Sequence, residues 1–347
     1  MKILFTEKPS ENGYNQSLIN AYTRAGHELT TGADAFFFSE SLPDMVHIHW
    51  PESLFRWHAP RGMDSEQVSR LITERLDWFK EHHVTIINTI HNLAPHDRAG
   101  TQDLDVYRQV IQRADILVHH CHNSVKLLAD SYPDILDSKK NIVCPHGDYL
   151  IEYRSVSKAQ ARSRYDIPRD RLVILNFGRQ RPYKNEKFIA SVFSRLKSPS
   201  RYLVIAGIFD NPENNRWLRI RNRLRKHIPY RDRKYIYRHF PSNELPDIIT
   251  SADIIFLGQR HALNSGLLAL AATYKIPVVC PDIGCFREAM ENWHCEFYTA
   301  GDVDDAGRAL QRMSGKIKTL DNPDNSEWLA KNSWDNHVKE IMKALPG

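Results

Sequence analysis

Short apolar runs recur along this chain at strand length, and longer amphipathic stretches separate several of them. In the first half the runs are KILF (2–5), AFFF (35–38), MVHIHW (45–50), VTIINTIH (84–91), DILVHH (115–120) and NIVCPHG (141–147). NQSLINAYTRAGHEL places Leu18, Ile19, Tyr22 and His27 at roughly helical spacing. DSEQVSRLITERLDWFKEHH starts on a good cap, Asp64, and puts Val68, Leu71, Ile72, Leu76 and Phe79 on one face. The alternation restarts at RLVILNFG and runs through YLVIAG, KYIYRHF, DIIFLG, IPVVCPD and CEFYTA. The polar stretch EYRSVSKAQARSRYDIPRD separates the two sets.

Strands alternating with helices predict parallel sheets covered on both faces. The fold class is therefore α/β, with two Rossmann-like doubly wound domains facing a central cleft. The first spans 1–155 and the second 156–325. NSEWLAKNSWDNHVKEIMKAL reads as a C-terminal helix over 326–347, packing back toward the first domain with Trp328 and Trp334 buried. A length of 347 residues fits two domains of ordinary size.

Composition narrows the setting. No apolar run is long enough to span a bilayer, because Lys275 interrupts the best candidate, LLALAATYKIPVV. MKILFTEKPS has too short an apolar core for a signal peptide and reads as a first strand. Five cysteines at scattered spacing argue for a reducing compartment. The expected address is the cytoplasm, with peripheral contact at the inner face of the cell membrane. Within a net charge of +5, the first 150 residues carry more acid than base and the remainder more base than acid. The basic half is where an anionic ligand is expected.

In open parallel sheets the ligand lies beyond the carboxyl ends of the strands. In LNFGRQRPYKNEKF, Gly178 lets the backbone turn sharply after a strand. Arg179 or Arg181 there has the fork geometry that grips phosphate oxygens, and Lys184 adds a point charge. LNSGLLALAATYK sets Asn264, Ser265 and Gly266 at the start of an apolar helix, whose free N–H groups favour phosphate. Two anion devices at one sheet edge form a diphosphate site. In the first half, histidines concentrate at successive strand tips, and His91, His96 and Asp97 are candidates to touch substrate.

The residues at this point resemble a glycosyltransferase of the GT-B type, family-four-like, of bacterial surface-polysaccharide assembly. The segments that carry the resemblance are VHIHWPE, TIHNLAPHD, ARSRYDIPRDRLVILNFGRQRPYKN and SADIIFLGQRHALNSGLLALAATYKIPVVCPDIGCFRE. It implies a UDP- or GDP-sugar donor held mainly by the second domain, and a saccharide acceptor, lipid-linked or oligosaccharide. Arg179 or Arg181 with Lys184 would hold the diphosphate, and Ser265 and Gly266 would meet it from the helix N-terminus. Glu288 matches a glutamate after the PVV strand; an ordinary charge in a first helical turn is the plain alternative. His91 matches a sugar-contacting histidine. Asn12, Gly13 and Tyr14 match a loop that closes over the phosphates, without that loop's usual paired glycines.

One departure concerns stereochemistry. Retaining enzymes of this kind usually carry two glutamates seven residues apart, and HALNSGLLALAATYK has no acidic residue. The outcome is open. Inversion needs a base for the acceptor hydroxyl; Asp97, His96 and Glu7 are the candidates, in that order. No metal or other cofactor is expected. HHCH (119–122) imitates a metal cluster, but consecutive strand residues point to opposite faces. The basic stretch NNRWLRIRNRLRKHIPYRDRKYIYR places Trp217, Ile220, Leu224 and Ile228 on one stripe, read as packing on the second sheet, with an anionic membrane surface as the alternative. A basic nucleic-acid-binding protein is the rival class, disfavoured because no such module is present. A catalytically inactive homologue acting as a partner subunit is the other.

Overall fold

The structure is a computed structural model. It describes residues 1–9, 13–56, 62–94, 101–135, 139–180, 184–209, 220, 224–225, 228, 230–320 and 323–346, without the side chains of 101–103 and 152. The chain forms two compact units: Met1–Gly147 with Lys331–Gly347, and Asp148–Ala330.

The first unit holds a six-stranded, all-parallel sheet in the order β2-β1-β3-β4-β5-β6. Its strands are β1 (Lys2–Phe5), β2 (Glu28–Thr31), β3 (Met45–Ile48), β4 (Thr85–Thr89), β5 (Ile116–His119) and β6 (Lys140–Val143). The crossover helices are α1 (Gly13–Arg24), α2 (Ala33–Phe38), α3 (Pro51–Arg56), α4 (Ser65–Glu81), α5 (Thr101–Arg113) and α6 (His122–Ser131). Helix α4 forms where its spacing predicts. Asp64 and Gln67 close a capping box at its start, and Val68, Ile72, Leu76 and Phe79 are buried. Each such buried side chain contributes about 1.5–3 kcal/mol.

The second unit repeats the architecture in the order β12-β11-β10-β7-β8-β9, again all parallel. It comprises α7 (Lys158–Arg164), β7 (Leu172–Phe177), α8 (Glu186–Arg195), β8 (Arg201–Ala206) and β9 (Arg233–Ile236). Then follow α9 (Leu245–Thr250), β10 (Ile254–Phe256), α10 (Gly266–Thr273), β11 (Val278–Pro281), α11 (Phe286–Ala289), β12 (Cys295–Tyr298), α12 (Val303–Lys316) and α13 (Ser326–Lys331). Helix α14 (Trp334–Ala344) belongs to the first unit, where it lies against α1 and β6.

Three expectations change. AFFF is not a strand: it lies in helix α2, and the second strand is the polar ELTT of β2. That strand pairs only with β1 at the sheet edge and is half exposed, so it needs no apolar run. Helix α1 ends at Arg24 and leaves His27 outside, because Gly26 turns the chain at φ +83°. The C-terminal segment is two helices: Ser333 caps α14 afresh, and Trp328 and Trp334 are buried in different units.

Candidate functional site

The order of the second sheet reverses between β7 and β10, which opens a crevice at their carboxyl ends. The chain leaves β7, β8 and β10 through Gly178, Gly207 and Gly258, and Gly284 follows β11. Two of these glycines are enforced by close approach. At Gly207 (φ +128°) a Cβ would lie 1.9 Å from the Gly178 carbonyl oxygen. At Gly284 it would lie 2.3 Å from the Ala262 carbonyl oxygen, so this turn presses against the segment leading into Ser265. The Cys285 N–H donates to the Leu263 carbonyl at 2.8 Å and fixes that approach.

Lys184 is half buried and its Nζ donates to the Phe177 carbonyl at 2.9 Å, which sets the ammonium over the carboxyl end of β7. Arg179 directly follows Gly178 and is exposed. Across the crevice Ser265 is the N-cap of α10, yet its hydroxyl does not cap the helix, and the first turn carries no acid. The first N–H groups of such a helix have no intrahelical acceptor. Asn264 and Gly266 flank Ser265 in the same turn, so Lys184 and residues 264–266 line the two sides of one switch point. Arg181 lies outside the described residues. Glu288 sits in the four-residue helix α11, in its first turn.

Two glutamines, Gln180 and Gln259, also stand at these turns. Gln180 is buried; its Nε2 donates to the carbonyls of Gly178 (3.1 Å) and Ala206 (3.2 Å) and ties the β7 turn to β8. Gln259, directly after Gly258, is buried with an Oε1 that has no partner. Both follow or bracket a strand-end glycine, a signal that was legible in GRQ and GQR.

This crevice lies within a region of known family. Residues 157–316 match the family described as glycosyl transferases group 1. They form a group 1 glycosyltransferase domain. A GDP-mannose:glycolipid 4-beta-D-mannosyltransferase of Xanthomonas campestris pv. campestris is 24% identical over 291 residues, 80% of this chain and 73% of that protein. A D-inositol 3-phosphate glycosyltransferase of Streptosporangium roseum is 28% identical over 286 residues, 78% of this chain and 61% of that protein. Among solved structures, Anabaena HepE in complex with UDP and glucose superposes with a TM-score of 0.69 at 12% identity, covering 99% of this chain and 100% of the other. Sucrose-phosphate synthase from Thermosynechococcus elongatus gives 0.67 at 13% identity, covering 99% and 97%. The two-domain α/β fold of the chain is GT-B.

The first unit has its own switch point, between β1 and β3. Glu7 follows β1, and His49, Trp50 and Glu52 follow β3. Burial pushes the Glu7 carboxyl up to about 7, a hydrogen bond from Ser53 opposes this, and the Glu52 charge adds to it. Its Oε1 is buried with no hydrogen-bond partner. Glu52 is buried too and accepts a hydrogen bond from the Tyr107 hydroxyl.

Histidines fill the remaining strand tips of this unit. His91 is buried, its ring stacked on Trp50 at 4.1 Å and its Nε2 2.9 Å from His49 Nδ1. His120 Nδ1 contacts the Cys144 carbonyl at 3.0 Å, so that nitrogen carries the proton. Burial drives His47 down to about 3 and His119, His146 and His337 to about 4; His49 and His120 fall well below the usual range for the same reason. These six are neutral at pH 7. The strand alternation separates HHCH: His119 bonds Ser124 and Asn141, His120 faces Tyr14, and Cys121 caps α6.

Gly13 and Tyr14 do not form a loop; they begin helix α1. Tyr14 is 3% exposed and packs on His91 (4.9 Å), His146 (5.0 Å) and Trp334 (4.7 Å). Its ring organises the histidine layer. Asn12, His96 and Asp97 lie outside the described residues. Ile220, Leu224 and Ile228 are 48%, 60% and 48% exposed, so the part of the apolar stripe that is described faces solvent instead of the sheet. Trp217 lies outside the described residues.

Proposed function

We propose that the protein transfers a sugar from a UDP- or GDP-sugar to a saccharide acceptor carried on a lipid, as a peripheral enzyme at the cytoplasmic membrane face. One observation carries the reading. At the switch point of the transferase domain, the Lys184 ammonium and the acid-free start of α10 flank a glycine-lined crevice. A leaving diphosphate needs such preorganised positive ends. Lys184 with Arg179 or Arg181 would hold it from one side, and Asn264, Ser265 and Gly266 from the other. Glu288 would serve the donor sugar. This charge supply makes a metal unnecessary in our reading. The Xanthomonas relative's name supports a GDP-sugar and a glycolipid acceptor; the UDP complex of HepE keeps UDP-sugars open.

On the acceptor side, Glu7 is the base we assign among the described residues. Its carboxyl is poised near neutrality at a strand tip, and no acidic residue lies in HALNSGLLALAATYK to support a retaining route. We therefore propose an inverting reaction, with His91 orienting the sugar. Asp97 and His96 remain candidates for the same task.

The test is calorimetric titration with UDP, GDP and ADP in EDTA, beside a Lys184→Ala variant. Binding of one nucleotide that weakens in the variant supports the site. No binding by folded protein would favour an inactive partner subunit.

A further inference from the structure

The transferase unit carries a cavity at the end of its sheet opposite the donor crevice. Asp253, which lines it, immediately precedes β10, whereas Gly258 follows that strand; Lys275, which also lines it, precedes β11, whereas Gly284 follows. The cavity measures about 380 Å³, within the range of small-molecule sites. Tyr153 and Tyr274 form one wall, their rings 5.3 Å apart and tilted by 38°. Tyr153 is 47% exposed, so this wall is open to a ligand from outside.

The charge around the cavity is in cationic excess. Asp247 is shared by Arg154 (2.7 Å) and Arg164 (2.5 Å), and Asp253 by Lys158 and Arg162 (2.6 Å each). Arg164 also reaches Glu244 (3.6 Å), and the lining itself holds three cations, Arg154, Lys158 and Lys275, against one carboxylate, Asp253. Lys275 lies close enough to the Asp324 carboxylate to hold it below its ordinary range.

The backbone fixes where Lys275 stands at this edge. Helix α10 ends in a Schellman motif: the Ile276 N–H donates to the Ala271 carbonyl (2.9 Å) and the Lys275 N–H to that of Ala272 (3.1 Å). Lys275 takes the left-handed position at φ +60°, where glycine is the unstrained choice. The chain keeps a lysine there, and its side chain lines the cavity.

We propose that this cavity binds a small phosphate ester, its phosphate on Lys275 and Arg154 and its ring against Tyr153 and Tyr274, at a site separate from the donor crevice. Sugar phosphates and nucleoside monophosphates share this chemistry. Titrating the protein with glucose 6-phosphate, UMP or inorganic phosphate, each with saturating GDP and UDP present, distinguishes them. The variants are Lys275→Gly and Tyr153→Ser. One ester should bind saturably with Kd about 1 mM or tighter. Binding should weaken about tenfold or more in both variants. Lys275→Gly should melt at the same or a higher temperature, so its loss of binding is not unfolding. Saturable binding by neither ester, or binding unchanged in both variants, overturns the proposal. Inorganic phosphate binding as tightly as the esters overturns the ring contact and leaves an adventitious ion only. The proposal does not rest on the assigned activity: if neither nucleotide occupies the donor crevice, loss of ester binding in both Lys275→Gly and Tyr153→Ser still assigns the binding to this cavity.

Discussion

A Cβ added to Gly178 would stand 2.8 Å from the Nζ of Lys184. The glycine and the lysine thus form one device: the φ of +103° at Gly178 clears the space in which the ammonium reaches the Phe177 carbonyl. Charge-assisted hydrogen bonds contribute about 1.5–3 kcal/mol. Lys184→Ala should therefore weaken nucleotide binding about tenfold to a hundredfold. Gly178→Ala should weaken it as well, through the displaced ammonium and the strained φ, although it deletes no charge. Calorimetry with the preferred nucleotide checks both; tight binding by Gly178→Ala would break the link between the two residues.

Glu7 gives a kinetic prediction. Glu7→Gln removes the base while keeping the shape, so kcat should fall about 10²- to 10⁴-fold with little change in KM for the donor. The wild-type rate should rise with pH through about 7 as the carboxyl ionises. The variant should lose that limb. A variant with wild-type kcat and the same pH profile would move the role to Asp97 or His96.

The same carboxyl has a stability consequence of definite sign. Its folded value of about 7 lies above the unfolded value of 4.5, so its contribution is present below about 4.5 and lost as pH rises through 7. Glu7→Gln should accordingly raise the melting temperature more at pH 8 than at pH 5. An equal effect at both pH values would mean that the carboxyl is not perturbed.

The two sheets were legible because a parallel strand buried on both faces has to be an apolar run, and nearly every run in the sequence became one. The exception, AFFF, shows the limit. An apolar run of this length suits a buried strand or a short helix equally, and the true strand, ELTT, carries no apolar signal because it lies at the edge. The positions of Gly178 after a strand and Ser265 before a helix were readable because strand ends and helix starts are marked in the sequence. Their placement on either side of one switch point was not, since strand order depends on pairings between distant segments. Tyr14 was misplaced for a related reason: the packing of His91, His146 and Trp334 on its ring joins four remote stretches of chain. The same holds for the exposed Ile220, Leu224 and Ile228, whose periodicity shows a stripe without saying what it faces.

The histidine layer predicts acid sensitivity of the first unit. His47, His119, His146 and His337 have folded values of about 3 to 4 against an ordinary value of 6.5. Unfolding lets them take up protons, so their contribution is present above pH 6.5 and lost as pH falls from there toward 4. Each costs on the order of 2 kcal/mol by pH 5, at about 1.4 kcal/mol per pH unit. Non-additivity reduces the sum, yet the melting temperature of this unit should drop by about 10 °C or more between pH 7.5 and 5. Thermal unfolding followed by near-ultraviolet circular dichroism reads this out through Trp50 and Trp334, which lie in the layer. A flat profile would mean that the imidazoles reach water in the folded state.

Gly147 anchors the returning helix α14. A Cβ there would fall 2.1 Å from Cε2 of Trp334, inside the indole ring, and the His337 Nδ1 reaches the Pro145 carbonyl (2.9 Å) two residues upstream. Trp334 is 3% exposed, and Val338 and Ile341 continue its buried face against α1 and β6. Gly147→Ala cannot be relieved by a flexible side-chain tip, because the clash is with a rigid buried ring. It should destabilise the first unit by about 1–3 kcal/mol, the usual cost of overpacking. Trp334→Ala should cost about 3–5 kcal/mol through the cavity it leaves. The double variant decides whether the two act through one contact: removing the indole first should make Gly147→Ala nearly neutral, as a coupled pair requires. Urea denaturation of the four proteins measures the coupling, and strictly additive losses would show that Gly147 and Trp334 act independently.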